Sequence, residues 1–303
     1  MHRWIGFVVG LLVVLGIAAV VLNLRTRPVA DDRPLVVTTF YPITALAAPI
    51  AGTVARVEQL VPAGQEVHDY QAAPANLAAL RSATLVISNG AELEHEWLDS
   101  LFTASDSLAT RLELAAMLEA DVKLLSADDE EAGEAGTDPH IWLSPKNAIL
   151  LAGYIRDALV RVDEMNRETY ESNAAALIAE LSSLDQEFRA SIATFRDREF
   201  IAFHSAFSYL ARDYGLEQVA TIEATPGEAP RPAELARIRS LVQEKRLRGL
   251  FTEPQYSPAT VDQLARDLGI AVRELDPLET NELDESYVDG MRRNLEALRA
   301  VLG

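Results

Sequence analysis

The chain carries five histidines, and three of them stand where ligand chemistry is expected. His68 lies in the stretch LVPAGQEVHDY that follows a β-rich run. His140 lies in TDPHIWLSP, just ahead of a helix start, and His204 closes the run Glu199–Phe203, directly before Ser205. A carboxylate, Asp276, closes the run Ala271–Leu275 in VRELDPL. In open α/β sheets ligands bind beyond the carboxyl ends of the strands. Four candidate ligands at four such places, two in each half of the chain, point to one composite site. Three neutral imidazoles and one carboxylate make a closed four-coordinate shell for a divalent cation. Affinity for such a donor set rises from Mn²⁺ towards Cu²⁺ and stays high at Zn²⁺, so zinc is the expected ion and manganese the alternative. Imidazole binds a metal only when unprotonated, so affinity is expected to fall as pH drops through ~6.5.

Taken singly, each of these residues also has a plain structural reading. A loop histidine is commonly a surface or hydrogen-bonded residue, and Asp276 could cap the turn before Pro277. His95, between Glu94 and Glu96 at a helix start, reads as a surface histidine. Glu253, in FTEPQYSP, ends a further strand. It could orient a ligating histidine or serve a neighbouring backbone group.

The elements that must position these residues alternate between β-rich and helical patterns, the mark of α/β layers with parallel strands. Leu35–Thr39, Val54–Val61 and Thr84–Ser88 read as strands, with helices over Thr44–Ala51 and from Pro74. Ser144-Pro145 opens a helix, Ser as cap and Pro in the first turn. The helical pattern then runs, interrupted near Val162, to Phe195. Leu177, Leu181, Leu184 and Phe188 share one face of it, and no Gly or Pro occurs from Glu164 to Tyr214. A helix this long inside an α/β chain suggests a rigid spine between lobes, so only modest lobe movement is expected. A second α/β half follows. Strands are expected at Glu199–Phe203, Leu250–Thr252 and Ala271–Leu275. Helices are expected from Ser205 to Gly215, from Ser257-Pro258, and over Ser286–Leu302.

Composition narrows the function. The 303 residues suffice for two domains, and a formal net charge of −19 argues against nucleic-acid binding, which needs a basic stripe. No cysteine is present, which excludes disulfides, thiolate metal sites and a lipid on an N-terminal cysteine. The acidic stretch Asp128–Gly136 reads as a surface loop. Ile5–Leu22 holds no charged or polar side chain. That is longer than the roughly 7–15 apolar residues of a signal peptide, and Pro28-Val29-Ala30 is a poor cleavage site. Residues 5–24 are therefore read as a retained N-terminal membrane helix, cleavage being the alternative, followed by a polar linker.

The stretches VVTTFYPITALAAPIAG (36–52), LVPAGQEVHDYQAAPANLAAL (60–80), LVISNGAELEHEWLDSL (85–101), DPHIWLSPKNA (138–148), FIAFHSAFSYLARDYGL (200–216) and LFTEPQYSPATVDQLARDLGIAVRELDPL (250–278) together resemble the substrate-binding proteins of zinc and manganese ABC importers, the cluster A-I or solute-binding family 9. The resemblance runs from Pro34 to the C-terminus. It implies two α/β lobes joined by one long rigid helix, with the metal held between the lobes; on this chain the lobes are expected at 34–165 and 197–303, the helix at 166–196, and the membrane segment and linker read above at 1–33. It also implies His68, His140, His204 and Asp276 as the ligands, a monomeric non-enzymatic protein on the extracytoplasmic face of the membrane, and an ABC permease as partner. The chain departs from the family in having no histidine in the loop before Asp138, no cysteine for lipidation, and Gln71 where Glu is common. A metal-stapled surface adhesin of the same fold is the alternative. A zinc hydrolase fits less well, since the fourth ligand place carries a carboxylate and no HExxH motif occurs.

Overall fold

A computed structural model of the chain describes residues 31–68, 70–127, 136–222, 231–254, 259–280 and 285–303. The apolar run 5–24, most of the acidic loop (128–135) and the Ser257-Pro258 helix start lie outside the described residues. Among the described residues no helix is long and apolar enough to cross a membrane.

The first half is built on four parallel strands in the order β2-β1-β3-β4. They are β1 (Leu35–Thr38), β2 (Arg56–Gln59), β3 (Leu85–Ser88) and β4 (Thr110–Glu113). The central pair, LVVT and LVIS, is wholly buried, as parallel strands covered on both faces must be. The outer pair carries Arg56, Glu58, Arg111 and Glu113, which suit sheet edges. Between the strands run α1 (Tyr41–Ala51), α2 (Pro74–Ser82) and α3 (His95–Ser105), and the short α4 (Leu114–Leu118) follows β4. After β3 the chain turns at Gly90, at φ +81°, where a Cβ would come within 2.3 Å of the Glu113 side chain, so only glycine fits.

The long helical pattern is two helices, α5 (Pro145–Val162) and α6 (Arg167–Ile192), packed against each other and against α1. Ser144 caps α5 by accepting from the Asn147 N–H, with Pro145 in the first turn as expected. The break is a 3₁₀ turn at Glu164–Asn166. It is held by Asp163, whose carboxylate accepts from Tyr170 Oη at 2.8 Å and Asn166 Nδ2 at 2.7 Å. The 26 residues of α6 extend ~39 Å at ~1.5 Å per residue. Leu177, Leu181, Leu184 and Phe188 form its buried face.

The second half holds two parallel pairs, β5 (Glu199–Ala202) with β6 (Glu217–Thr221) and β7 (Gly249–Thr252) with β8 (Ala271–Glu274). Around them lie α7 (Ser208–Tyr214), α8 (Pro232–Lys245), α9 (Ala259–Leu268) and α10 (Tyr287–Leu302). Ile201, Ile222, Ile238, Val242, Leu250 and Val261 form their own apolar cluster. The helix expected from Ser205 opens at Ser208 instead and ends, as expected, at Gly215 in the left-handed conformation. β4, α4, β6 and α8 were not anticipated. They are short, or too polar to show a clear period.

Leu181 is fully buried in the long-helix face, whereas Leu108 is 99% exposed. Leu181→Ala should cost about 2–5 kcal/mol of unfolding free energy. Leu108→Ala should stay within about 0.5 kcal/mol of the parent. Urea titration followed by circular dichroism measures both.

Candidate metal centre

Three imidazoles and one carboxylate meet in the described structure. They are His68, His140, His204 and Glu279, and one ligand atom from each lies within 4.8 Å of all the others. His68 comes from the loop after β2, and His140 from the segment immediately before the turn that leads into α5. His204 follows β5, and Glu279 lies on the loop after β8. His140 Nε2 is 3.3 Å from His204 Nε2 and 3.4 Å from Glu279 Oε1, while His68 Nε2 is 3.8 Å from the same oxygen. The Glu279 side chain is 1% exposed and that of His140 6%, against 13% for His204 and 28% for His68.

Two further carboxylates set which ring nitrogens face inward. His140 Nδ1 is 2.9 Å from Asp138 Oδ1, which also accepts from the His140 backbone N–H. His204 Nδ1 is 2.6 Å from Glu253 Oε1, which accepts from the His204 backbone N–H as well. A carboxylate at Nδ1 keeps a proton there, so that Nε2 is the nitrogen offered to a metal once its own proton leaves. Asp138 is itself anchored, its carbonyl accepting from Tyr209 Oη at 2.9 Å.

The loops are stitched to one another. The Gly64 N–H donates to the Thr280 carbonyl at 2.6 Å, joining the His68 loop to the Glu279 loop. The Trp142 indole donates to the Pro277 carbonyl at 2.8 Å, and Tyr287 Oη donates to the Trp142 carbonyl at 2.7 Å. The segment bearing His140 is thereby tied to the Glu279 loop and to α10.

Of the expected site residues, His68, His140 and His204 converge and Asp276 does not join them. Its Oδ1 accepts from the Leu278 N–H at 2.7 Å and its Oδ2 from Arg293 Nη2 at 2.9 Å, so the carboxylate is engaged elsewhere. The acid that reaches the imidazoles is Glu279, three residues on. Glu253 orients His204, one of the two readings it had in the sequence, and His95 is exposed, paired with Asp99 at 3.1 Å. Sequence reasoning missed Glu279, Asp138 and Glu66. The available signals were a second acid three residues beyond Asp276, and an acid two residues before each of His68 and His140.

The electrostatics suit a cation. Burial works against ionising Glu279, but His140 and His68 outweigh it and hold its pKa well below the ordinary carboxylate value. Glu66, beside it, is pushed up to about 8 by burial and by the charge of Glu279. His68 Nε2, Glu66 Oε1 and Glu279 Oε1 are buried without a hydrogen bond of normal geometry. Buried polar atoms are rarely left so, and a divalent ion in the cluster would engage the His68 nitrogen and the Glu279 oxygen.

If Asp138 and Glu253 hold the two tautomers, Asp138→Ala and Glu253→Ala should each weaken metal binding by about 10–100-fold. Glu253→Gln, which keeps an acceptor, should lose less than Glu253→Ala. Metal titration, with ¹⁵N resonances reporting the histidine tautomers, checks this. Unchanged tautomers in the alanine variants would remove the orienting role.

A family model described as zinc-uptake complex component A, periplasmic, matches residues 36–301. The zinc-binding lipoprotein AdcA of Streptococcus pneumoniae (strain ATCC BAA-255 / R6) is 34% identical over 284 residues, 89% of this chain and 56% of the relative. This chain thus spans little more than half of that relative's length. The high-affinity zinc uptake system protein ZnuA of Bacillus subtilis (strain 168) is 31% identical over 294 residues, 91% of each chain. Among solved structures, Zn(II)-bound AdcA from Streptococcus pneumoniae superposes with a TM-score of 0.77 at 32% identity, covering 89% of this chain and 58% of that one. The laminin binding protein Lmb of Streptococcus agalactiae, described as bifunctional with adhesin and metal transporting activity, gives 0.78 at 26% identity, covering 90% and 100%. With a family model that spans nearly the whole of the two-lobed α/β body, the chain belongs to the ZnuA family of zinc-uptake component A proteins.

Proposed function

We propose that this protein captures a divalent metal ion, zinc in preference to manganese, outside the cytoplasm and delivers it to the permease of an ABC importer. The observation that carries the reading is the convergence of three imidazole nitrogens and one buried carboxylate oxygen within 4.8 Å. Three nitrogen donors favour Zn²⁺ over Mn²⁺, and a four-ligand shell suits tetrahedral zinc better than an ion that takes six oxygens. The relatives named as a zinc-binding lipoprotein and a zinc uptake protein support the same choice. The ligands are His68, His140, His204 and Glu279. The lobes 34–165 and 197–303 hold the ion, with the helix over 166–196 as their spine. The protein acts as a monomer, and the apolar run 5–24 keeps it at the membrane. Elsewhere in the fold Lmb is described as an adhesin.

The direct test is titration of metal-stripped protein with zinc, then with manganese in competition. One tight equivalent of zinc is expected, lost in His68→Ala, His140→Ala, His204→Ala and Glu279→Ala. Retention of tight binding in all four would sink the proposal, as would displacement of zinc by an equal concentration of manganese.

The pH dependence has a defined sign. In the metal-free chain burial lowers the His140 pKa from its ordinary 6.5, but Asp138 and Glu279 outweigh burial and hold it at about 10. His204 is raised too, Glu253 overcoming burial. Zinc must therefore displace protons that stay bound well above pH 6.5. Affinity should keep climbing between pH 6.5 and pH 10, higher than the ~6.5 of an ordinary imidazole. Stability of the metal-free fold should run the other way. The raised pKa contributes stability below 6.5 that is lost as pH rises towards 10. Calorimetry of zinc binding in buffers of different ionisation enthalpy reads the released protons. A zinc affinity that is flat above neutrality would contradict this account.

A further inference from the structure

The loop that supplies Glu279 carries two carboxylates three residues apart, Asp276 and Glu279, with 8% and 2% of their surface exposed. Both are short of water, and a cation held by three imidazoles attracts either. What separates them is how each is held. Asp276 is committed on every side. Its Oδ1 accepts from the Leu278 N–H at 2.7 Å and its Oδ2 from Arg293 Nη2 at 2.9 Å. Its backbone is locked as well, the N–H donating to Asn294 Oδ1 at 2.8 Å and the carbonyl accepting from Asn294 Nδ2 at 2.7 Å. Arg293 and Asn294 are consecutive residues of α10, so one turn of that helix grips the whole of Asp276. Glu279 Oε1, by contrast, is buried beside imidazole nitrogens at 3.4 and 3.8 Å and the Glu66 carboxyl, with no hydrogen bond of normal geometry to hold it elsewhere.

The backbone between the two acids completes the arrangement. Leu278 sits at φ +64°, in the left-handed region that a branched apolar residue rarely adopts. The Asp276 side chain stabilises that turn by accepting the Leu278 N–H, as Asp does in an Asx turn. The turn redirects the chain so that Glu279, not Asp276, enters the site.

We propose that Arg293 is a specificity-determining residue of the metal site, acting through Asp276. By pairing with that carboxylate it withdraws one of two competing acids, so the metal is offered three nitrogens and a single carboxylate. A shell of that kind favours zinc, whereas a second carboxylate would add the oxygen donors that manganese prefers. This inference rests on Glu279 being the ligand acid. Without the guanidinium, the buried Asp276 charge keeps only the Leu278 N–H, a costly state that a cation drawing the carboxylate towards it relieves.

The experiment uses the full chain, stripped of metal and titrated with Zn²⁺ and Mn²⁺. The variants are Glu279→Gln, Asp276→Asn, Arg293→Met, Arg293→Gln, Arg293→Lys, Arg293→Met with Glu279→Gln, and that pair with Asp276→Asn. Thermal unfolding of each metal-free form is recorded alongside. Glu279→Gln should lose most of the zinc affinity, and Asp276→Asn little of it. The pair Arg293→Met with Glu279→Gln should regain about 10-fold over Glu279→Gln alone, of the order that supporting residues exert on metal sites. Adding Asp276→Asn should abolish the gain. Arg293→Met alone should narrow the preference for zinc over manganese, and Arg293→Lys, which keeps the charge, should preserve it. A purely structural role for Arg293 predicts a double variant weaker than Glu279→Gln, and that result overturns the proposal. Arg293→Gln serves the same comparison if the Met variant does not fold. If instead Asp276→Asn abolishes binding while Glu279→Gln keeps it, the assignment of Glu279 itself falls, an outcome distinct from failure of the Arg293 role.

Discussion

A carboxylate with 1% of its side chain exposed must have its charge answered from within the protein, and Glu279 is answered by imidazoles. The whole composite centre follows from that constraint. His140 and His68 hold Glu279 ionised. Asp138 and Glu253 stand behind His140 and His204 and fix which nitrogen each presents. Glu66, drawn into the same volume, is pushed up to about 8 by burial and then by the charge of Glu279, so it keeps a proton at neutral pH. Three carboxylates and three rings are therefore mutually dependent, and each acidic group has a separate duty: one faces the rings and two steer them.

Such a cluster has to be assembled from segments far apart in the chain, and hydrogen bonds to backbone carbonyls do the assembling. Gly64 to Thr280 and Trp142 to Pro277 span 216 and 135 residues, by subtraction of their numbers. Neither bond involves a ligand atom. They place loops, and the loops place the rings. The parallel strands contribute by ending at one edge, and the buried pair β1 and β3 gives that edge a rigid base.

Much of this was legible in the sequence because strand ends in α/β chains are marked twice, by apolar β-branched runs and by the polar residues that follow. His68 and His204 stood out on that ground, and His140 by its place before the Ser144-Pro145 cap. Which acid stands with the three imidazoles was not legible. Asp276 and Glu279 lie in one short loop, both are acids, and nothing local says which side chain faces inward. Asp276 is held by Arg293, 17 positions further on in α10, and the chain passes through a left-handed turn at Leu278 that no leucine advertises. The interruption expected near Val162 is the 3₁₀ turn at Glu164–Asn166, and the second helix ends at Ile192, short of Phe195. The side-chain bonds from Tyr170 and Asn166 that hold the break carry no periodic signal. Strands such as β4 and β6 went unseen because edge strands with charged faces do not alternate cleanly.

The unequal exposure of the three rings gives the centre a direction. His140 and His204 are walled in, each with a carboxylate at its back, while His68 is 28% exposed. Water, buffer anions or a competing chelator reach the cluster from the His68 side first. Ligand exchange is then an ordered affair. For an ion held at the proposed site, the bond to His68 would be the first to open while the inner two and Glu279 keep hold, and an outside donor arriving during such an opening would set its residence time.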